Sequence, residues 1–352
     1  MIIIDEVKLD YKDVLLRPKR STLNSRKEVS LEREFHFPHS PKIRKWVPII
    51  AANMDTIATK ELAQEFYKHG MITCLHKFYS EEEIIWMSNE VRFANCAISI
   101  GILDNDLEKL SHIMKAIQQR DWTIDKVHWI CIDVANGYTE RFTKTIKQIR
   151  SLYPEQIIIA GNVVTREMTE ELILAWADIV KVGIWPGSAC TTRIQSGIGY
   201  PQLSSVIECA DAAHGLDGHI IADGWIVVPG DFSKAYGAWA DFTMCWGIFA
   251  GHDETAGDII KEEWKQYKLY YGMSSDTAME KHYGGVAEYR SSEWKTVKVP
   301  YKWALSNTIQ SILGGIRSAC TYIGARSIKH MPKCTTFIRV SQQSNEVWGK
   351  NS

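Results

Sequence analysis

The feature of this sequence that most constrains its fold is a series of eight short apolar segments, each followed by a stretch with a helical pattern. The segments are often β-branched and are apolar on both faces, which is typical of buried parallel strands. The predicted strands are 47–51, 71–75, 96–100, 128–133, 156–161, 178–183, 219–223 and 241–245. Predicted helices between the later strands include 139–153, 166–176 and 232–238.

Eight strand–helix units predict an α/β fold, and specifically a closed (β/α)8 TIM barrel. An open, doubly wound sheet is the alternative, but no G-x-G-x-x-G follows the first predicted strand, which argues against its dinucleotide-binding form. A barrel needs about 250 residues and tolerates insertions. We therefore predict one domain, 1–352, with an N-terminal extension at 1–45 that covers the bottom or rim of the barrel. Residues 254–304 are predicted to be an active-site flap inserted after strand eight, before a helical run at 306–324.

Charge and cysteine spacing narrow the class of protein. The 41 basic and 42 acidic residues nearly cancel, so nucleic acid is not an expected partner. No apolar run approaches the roughly 18 residues that a membrane helix requires, and the N-terminus lacks the pattern of an export signal. The eight cysteines form no C-x-x-C pair, which argues against a zinc site or a disulfide framework. We expect a cytoplasmic protein without a membrane partner.

Polar residues and glycines cluster directly after the predicted strands. In a barrel, the chemistry takes place at the carboxyl ends of the strands. The sequence therefore predicts an active site built from the segments 53–55, 76–77, 133–137, 161–162, 183–193, 223–224 and 246–247.

The loop after the sixth strand contains the best candidate for a nucleophile. Ser188 and the neighbouring glycines offer the hydroxyl and backbone N–H groups that bind a phosphate. Arg193 supplies a positive charge that favours the thiolate of Cys190, which is the nucleophilic form. The alternative is a buried structural cysteine. The polar neighbours favour chemistry through Cys190.

The loops after strands seven and eight contribute further candidates. Asp223 precedes Gly224, and its carboxylate can accept hydrogen bonds from both hydroxyls of a ribose. A turn aspartate that caps a helix is the alternative. Trp246 and Gly247 would complete a phosphate site between strands seven and eight, where barrels commonly bind phosphate. A phosphorylated ligand is the prediction.

Motifs spread over nearly the whole chain resemble one protein family. They are YKDVLLRPKRST (11–22), AANMDT (51–56), DVANGY (133–138), AGNV (160–163), SACTTR (188–193), YGMSS (271–275), GGVAEYR (284–290) and GGIRSACT (314–321). On these motifs the chain resembles the IMP dehydrogenase/GMP reductase family. Dehydrogenases of the family usually carry a regulatory domain pair inserted early in the barrel, and the spacing here leaves no room for it. Residues 133–138 and 288–294 also resemble the reductases.

The resemblance implies an NADPH-dependent reductive deamination of GMP to IMP, with release of ammonia, in purine nucleotide salvage. It implies that Cys190 adds to the purine carbon bearing the amino group, that ammonia leaves, and that hydride from NADPH reduces the covalent thioimidate. Thr192 and Glu293 resemble the pair that relays the proton to the departing ammonia. The implied GMP-binding residues are Ser188, Asp223, Gly224, Trp225, Trp246, Gly247, Gly272, Met273, Ser274, Arg290, Ser291, Ser292 and Trp294.

The same resemblance implies the cofactor, cation and assembly. The implied NADPH-binding residues are Ser25, Arg26, Lys77, Asp133, Val134, Ala135, Ile184, Trp185, Ser318, Ala319, Cys320 and Thr321. A monovalent cation, K⁺, would be bound by carbonyl oxygens of Trp185, Gly187 and Cys190. A homotetramer is also implied. The alternative within the family is an IMP dehydrogenase lacking its regulatory domain, which would consume IMP and NAD.

Nine tryptophans stand where the family pattern has glycine. Glycine tolerates positive φ and lets the backbone approach a phosphate closely, and an indole does neither. One overpacked site typically costs about 1–3 kcal/mol, so nine would exceed the roughly 5–15 kcal/mol by which proteins are usually stable. The positions are Trp46, Trp176, Trp185, Trp225, Trp239, Trp246, Trp264, Trp294 and Trp303.

We hypothesise that these nine positions are UGA codons, which some bacteria read as glycine and which a common alternative code reads as tryptophan. The hypothesis predicts that a structure carrying these tryptophans shows them crowding a phosphate or cation site. If the tryptophans are genuine, the chain would be a catalytically dead barrel with a binding or regulatory role.

Overall fold

The computed structural model describes residues 3–119, 127–184, 192–272, 275–283 and 296–341. The N-terminal extension contains the strands β1 (Val14–Leu16), β2 (Arg33–Phe37) and β3 (Ser40–Trp46). Strands β2 and β3 pair as an antiparallel hairpin. Short 3-10 helices, Tyr11–Asp13 and Arg26–Glu28, flank β1 in the chain.

Eight parallel strands follow and close into a barrel, which confirms the TIM-barrel prediction. Each strand pairs with the next along the chain, and the last returns to the first, with Met244 opposite Ile50. All eight lie within two residues of the predicted bounds because their apolar, β-branched side chains fill the barrel wall. The strands are β4 (Ile49–Ala51), β5 (Ile72–Leu75), β6 (Cys96–Ile100), β7 (Trp129–Asp133), β8 (Ile157–Val163), β9 (Ile179–Val182), β10 (His219–Asp223) and β11 (Phe242–Cys245).

Helices surround the barrel and begin at side chains that cap them. Thr59, Ser80 and Thr139 each accept a hydrogen bond from a backbone N–H of the first turn, which satisfies a donor that the helix leaves free. The helices are α1 (Lys60–Lys68), α2 (Glu81–Met87), α3 (Asp104–Gln118), α4 (Glu140–Leu152), α5 (Arg166–Leu174), α6 (Thr192–Ser196), α7 (Gln202–His214) and α8 (Pro229–Gly237). A further 3-10 helix, Phe93–Asn95, leads into β6.

The segment after β11 forms a small sheet beside the barrel. Strands β12 (Ile259–Glu262), β13 (Lys265–Tyr270) and β14 (Val297–Pro300) pair antiparallel. The helix α9 (Asp276–Tyr283) lies between β13 and β14 in the chain. These elements fall inside the predicted flap at 254–304. The division of the chain into one barrel domain with an extension and a flap stays a prediction.

The C-terminal part returns to the start of the chain. Helix α10 (Leu305–Ile323) is followed by the 3-10 helix Ile328–His330, by α11 (Met331–Cys334) and by strand β15 (Phe337–Arg339). Strand β15 pairs antiparallel with β1. Among the helices of the described ranges, none is long and apolar enough to cross a membrane.

The β2–β3 hairpin covers the bottom of the barrel. Phe35 stacks on Phe242 with ring centroids 4.2 Å apart, and Trp46 meets Trp129 edge-on at 4.8 Å. Trp129 and Phe242 are the first residues of β7 and β11, so the hairpin packs on the amino ends of the strands. This is the bottom position expected for the N-terminal extension.

A buried carboxylate joins the hairpin to the barrel. Asp241, directly before β11, accepts hydrogen bonds from Arg33 at 2.5 Å, from His214 at 2.8 Å and from the backbone N–H of Ile220 at 2.9 Å. Burial alone would raise the pKa of Asp241, but the charges of His219 and Arg33 hold it well below its usual value. The bottom of the barrel is thus held by an ion pair as well as by aromatic packing.

The nine tryptophans that stand where the family pattern has glycine are called the suspect tryptophans below. The backbone is left-handed at four of them. The φ angles are 78° at Trp176, 59° at Trp225, 73° at Trp239 and 56° at Trp303. Such φ values cost a residue with a side chain about 1–2 kcal/mol, whereas glycine adopts them freely. The other non-glycine residues with positive φ in the described ranges are Asp217 and Glu263.

The remaining five suspect tryptophans differ in their surroundings. Trp264 lies in the two-residue turn between β12 and β13, a position where glycine is favoured. Trp46 lies in an extended strand and packs well, so its backbone accepts any residue. Trp246 lines a cavity described below. Trp185 and Trp294 lie outside the described residues.

Candidate functional site

Four polar side chains meet at the carboxyl ends of neighbouring barrel strands. Lys181 of β9 places its Nζ 2.5 Å from Oδ1 of Asp133, the last residue of β7. The same Nζ lies 3.4 Å from Oδ2 of Asp223, the last residue of β10. Asn162 of β8 donates from Nδ2 to Oδ2 of Asp223 at 2.8 Å and to the carbonyl of Gly183 at 2.6 Å. These contacts fix the orientation of two predicted binding residues, Asp133 and Asp223.

The charged groups among these four residues shift one another's pKa values. Burial alone would lower the pKa of Lys181, but Asp133 and Asp223 raise it, so the lysine is a cation. Burial opposes ionisation of Asp133, yet Lys181 and Lys77 lower its pKa. Burial raises the pKa of Asp223, with Lys181 acting against it. Asp223 is therefore the member of the group whose charge costs most.

A cavity of about 350 Å³ opens at the ends of β10 and β11. It lies where the phosphate of the ligand was predicted, after strands seven and eight. Lys302 lies in its wall and donates to the carbonyl of Ile248 at 3.3 Å, and burial lowers the pKa of this lysine. Sequence reasoning did not select Lys302. The lining residues are Gly224, Trp225, Ile226, Val227, Cys245, Trp246, Gly247, Ile248, Val297, Val299 and Lys302.

Two suspect tryptophans take up part of this cavity's wall. Trp225 Nε1 is buried and has no hydrogen-bond partner among the described residues, and the guanidinium of Arg193 lies 6.0 Å from the indole ring. Trp246 stacks parallel on Tyr270 with centroids 4.7 Å apart. By contrast, a Cβ added to Gly247 would meet no atom of the described residues within 4 Å. Trp225 and Trp246 thus line this cavity, and that the cavity binds phosphate stays a prediction.

A second buried carboxylate connects the barrel to the segment after β11. Asp55, in the loop after β4, accepts hydrogen bonds from Tyr271 Oη at 2.9 Å, Lys281 Nζ at 3.1 Å and His282 Nε2 at 2.8 Å. Burial would raise the pKa of Asp55, but these partners lower it. Phe78 stacks on His282 at 3.9 Å. Helix α9 is therefore anchored at the strand ends, an arrangement that could not be predicted from local sequence patterns.

The predicted cofactor residues fall into two groups. Lys77 and Asp133 lie near each other, since the charge of Lys77 lowers the pKa of Asp133. Val134 donates from its N–H to the carbonyl of Gly161 at 3.0 Å, and Ala135 beside it is exposed. Ile184, two residues after the end of β9, is buried. Of this first group, Asp133 contacts Lys181 directly.

The second group lies on the outer layer. The helix Arg26–Glu28, capped by Ser25, packs against α10, which contains Ser318, Ala319, Cys320 and Thr321. Ser25 and Arg26 are exposed, but Cys320 is fully buried and its pKa is raised to about 12 by burial. The Cys320 side chain therefore faces the core and not a ligand. The structure thus brings the Arg26–Glu28 helix and α10 together.

Several predicted residues lie outside the described residues. The backbone of Thr192 begins α6, but its side chain is not among them. Arg193 donates to the carbonyl of Tyr200 at 2.7 Å and lies 3.9 Å from Asp10, so part of its charge is already partnered. Gly272 is buried, and its carbonyl accepts from Ser275 at 3.0 Å. Outside the described ranges are Trp185, Gly187, Ser188, Cys190, Met273, Ser274, Arg290, Ser291, Ser292, Glu293 and Trp294.

Comparison with known proteins extends this picture over nearly the whole chain. Residues 8–347 match the family model of the IMP dehydrogenase / GMP reductase domain. The chain is 56% identical to GMP reductase 1 of Mus musculus over 98% of each protein. It is 55% identical to GMP reductase 1 of Homo sapiens, over 97% of this chain and 98% of the relative. It is also 55% identical to the GMP reductase of Caenorhabditis elegans, over 98% and 95%.

Proposed function

The chain belongs to the IMP dehydrogenase/GMP reductase family, and on that premise we propose that it catalyses the NADPH-dependent reductive deamination of GMP to IMP. The observation that carries the proposal is the 55–56% identity, over nearly full length, to proteins named GMP reductase. The barrel supports it because Asp223 and a cavity of about 350 Å³ stand side by side at the catalytic end. In a bound nucleotide, the ribose hydroxyls would donate to such a carboxylate and the phosphate would occupy the adjacent pocket.

In the proposed mechanism, GMP binds with its ribose on Asp223 and its phosphate in the cavity beside Gly224 and Gly247. Ser188 completes the phosphate site. The thiolate of Cys190 adds to the purine carbon that bears the amino group. Thr192, oriented by Glu293, delivers the proton with which ammonia departs, leaving a thioimidate. Reduction of that carbon and departure of the thiolate give IMP.

NADPH supplies the hydride when it is bound. Lys77 and Asp133 fit a cofactor because they lie at the strand ends next to the predicted nucleotide site. Ser25, Arg26 and α10 are proposed to contribute through exposed polar groups, with Cys320 contributing backbone only. The K⁺ site at the carbonyls of Trp185, Gly187 and Cys190 is proposed on family resemblance alone. A homotetramer in the cytoplasm is proposed on the same ground.

We further propose that the nine suspect positions are glycine in the native protein. The support is the left-handed backbone at Trp176, Trp225, Trp239 and Trp303, together with the indoles in the cavity wall. Peptide mass spectrometry of the protein from its own organism decides between the residues at each position. UGG codons at these positions in the gene would refute the proposal.

The activity test compares two full-length chains, one with tryptophan and one with glycine at the nine positions. The glycine form is expected to oxidise NADPH when GMP is added and to release ammonia and IMP. Cys190→Ser in the glycine form is expected to abolish turnover while GMP still binds. Circular dichroism checks that this variant folds as its parent chain does.

Other outcomes of the same assay identify other functions. Reduction of NAD with IMP, without NADPH oxidation by GMP, would make the chain an IMP dehydrogenase lacking its regulatory domain. A folded glycine form that turns over neither pair would make it an inactive barrel. Turnover in the glycine form alone would assign the loss of activity to the tryptophans.

A further inference from the structure

Lys181 is a buried cation between two predicted binding sites. Its side chain is 3% exposed, and its Nζ reaches Asp133 at 2.5 Å and Asp223 at 3.4 Å. Asp133 belongs to the predicted NADPH site, and Asp223 belongs to the predicted GMP site. A charge buried this deeply is costly unless it is paired. The two carboxylates are the partners that stabilise it.

The neighbouring strand leaves space for this lysine. Gly161 of β8 pairs with Lys181 across the ladder. A Cβ on Gly161 would lie 2.6 Å from the Cβ of Lys181 and 2.7 Å from its carbonyl oxygen, both of which are severe overlaps. The next residue, Asn162, holds Asp223 from the other side at 2.8 Å. The glycine and the asparagine of this strand thus accommodate Lys181 and complete its hydrogen-bonded group.

We propose that Lys181 is a positioning residue that holds Asp133 and Asp223 in their binding orientations and so couples the NADPH and GMP sites. The inference rests on the proposed function. Lys181 acts through the two carboxylates and not by contact with either nucleotide. Asn162 positions Asp223 alone, whereas Lys181 contacts both acids.

The charged and titratable groups around Lys181 determine what its removal does. They are Asp133 and Cys131 on β7 and Asp223 on β10, with Lys77 acting on Asp133. Loss of the lysine leaves two buried carboxylates facing each other without the cation, and both pKa values rise. A ribose binds best to an ionised Asp223, so the acid limb of the pH profile moves to higher pH.

The test is Lys181→Met in the full chain with glycine at the nine positions. The KM for GMP and the KM for NADPH are each expected to rise about tenfold or more, with a smaller change in kcat. The acid limb of kcat/KM is expected to shift upward by about one pH unit. Loss of stability alone would not produce such a shift. If Lys181→Met does not fold, Lys181→Gln keeps a hydrogen-bond donor and is measured in the same way.

The matched control is Arg150→Met. Arg150 is as deeply buried as Lys181 and pairs with Asp178 at 2.5 Å, at the opposite end of β9. Its loss should lower stability without moving either KM or the pH profile. Calorimetry measures GMP and NADPH binding without turnover in every variant.

Unchanged KM values and an unchanged acid limb in the lysine variants would overturn the inference, and so would a change confined to one nucleotide. If the parent chain neither turns over nor binds GMP or NADPH in calorimetry, the proposed function fails and the inference fails with it. The first result leaves the enzyme activity standing, so the two failures are distinguishable.

Discussion

Tryptophans on left-handed backbone occur at both ends of the barrel, and their surroundings differ. At the bottom, Trp176 and Trp239 lie between a helix and the strand that follows it. At the top, Trp225 follows β10 and lines the cavity proposed to bind phosphate. The bottom of a TIM barrel serves stability, and the top carries the chemistry. The same backbone strain should therefore have different consequences at the two ends.

The bottom junctions can be compared with one that ends in glycine. After α1, Gly70 has a φ of 66°, and the N–H groups of Gly70 and Met71 reach back to carbonyls in the last turn, each at 3.0 Å. After α5, Trp176 and Ala177 make the same two bonds at 2.8 and 3.1 Å. This Schellman arrangement requires a left-handed residue whichever side chain is present. The junction geometry is set by the helix end, and glycine is the residue that fits it.

The two ends of the barrel differ in where the tryptophan side chains lie. Trp176 and Trp239 are 50% and 44% exposed, and neither lines the cavity at the top of the barrel. Trp225 lines the cavity, and within the described part of the chain its Nε1 has no hydrogen-bond partner. Strain at the bottom therefore affects only the free energy of unfolding, and strain at the top also affects ligand binding.

The largest expected effect tests whether the bottom of the barrel contributes to stability and not to ligand binding. Asp241→Asn removes a buried charge that Arg33 and His214 contact, and should lower the free energy of unfolding by about 3–5 kcal/mol. Chemical denaturation measures the loss. The KM for GMP should stay unchanged in the folded variant. A change in that KM would contradict the separation of the two ends.

The second effect tests the top. Trp225→Gly combined with Trp246→Gly removes two indoles from the cavity wall, and kcat/KM for GMP should rise about 100-fold, equivalent to about 2.7 kcal/mol. Steady-state kinetics on the chain with the other tryptophans in place measures it. Trp176→Gly with Trp239→Gly is the control and should leave kcat/KM unchanged. Equal gains in both pairs would refute the comparison.

The third effect comes from the opposite substitution, in which tryptophan replaces a glycine that has left-handed backbone. Gly70→Trp places a side chain on backbone at a φ of 66° and should destabilise the protein by about 1–2 kcal/mol. Gly70→Asn, which tolerates this conformation better, should cost less. Equilibrium denaturation of the three chains ranks them. A stable tryptophan variant would mean that the junction does not require glycine.

The smallest effect is the gain at the bottom. Trp176→Gly and Trp239→Gly should each raise the free energy of unfolding by about 1 kcal/mol, because left-handed strain is removed. The matched control is Trp86→Gly: Trp86 is 51% exposed but lies in the right-handed helix α2. There the same substitution should destabilise by about 1 kcal/mol. Thermal denaturation measures the three variants. A change in stability of the same sign in all three would contradict the role of left-handed strain.

Much of the fold could be predicted from the sequence, and less of the site. Eight strands were predicted within two residues because β-branched, apolar segments report burial on both faces. Asp133 and Asp223 were selected because each ends such a strand. Lys181 was missed because it lies inside an apolar segment, with partners 48 and 42 residues away in the chain. Lys302 and the contacts of Asp55 were missed because their partners are distant in the chain, 54 residues for Lys302 and 216 or more for Asp55.

The sequence by itself determined the barrel, the family and the presence of tryptophan where glycine was expected. These depend on local patterns. The period of apolar residues determines the type of secondary-structure element, and a motif consists of residues that are adjacent in the chain. Only the tertiary structure decided which strand ends meet, and so which acids share Lys181. It also separated Trp46, which fits an extended strand, from Trp176 and Trp225, which do not fit theirs. The reason is that φ at each position is imposed by the closing of the barrel and the ending of its helices, which no single residue encodes.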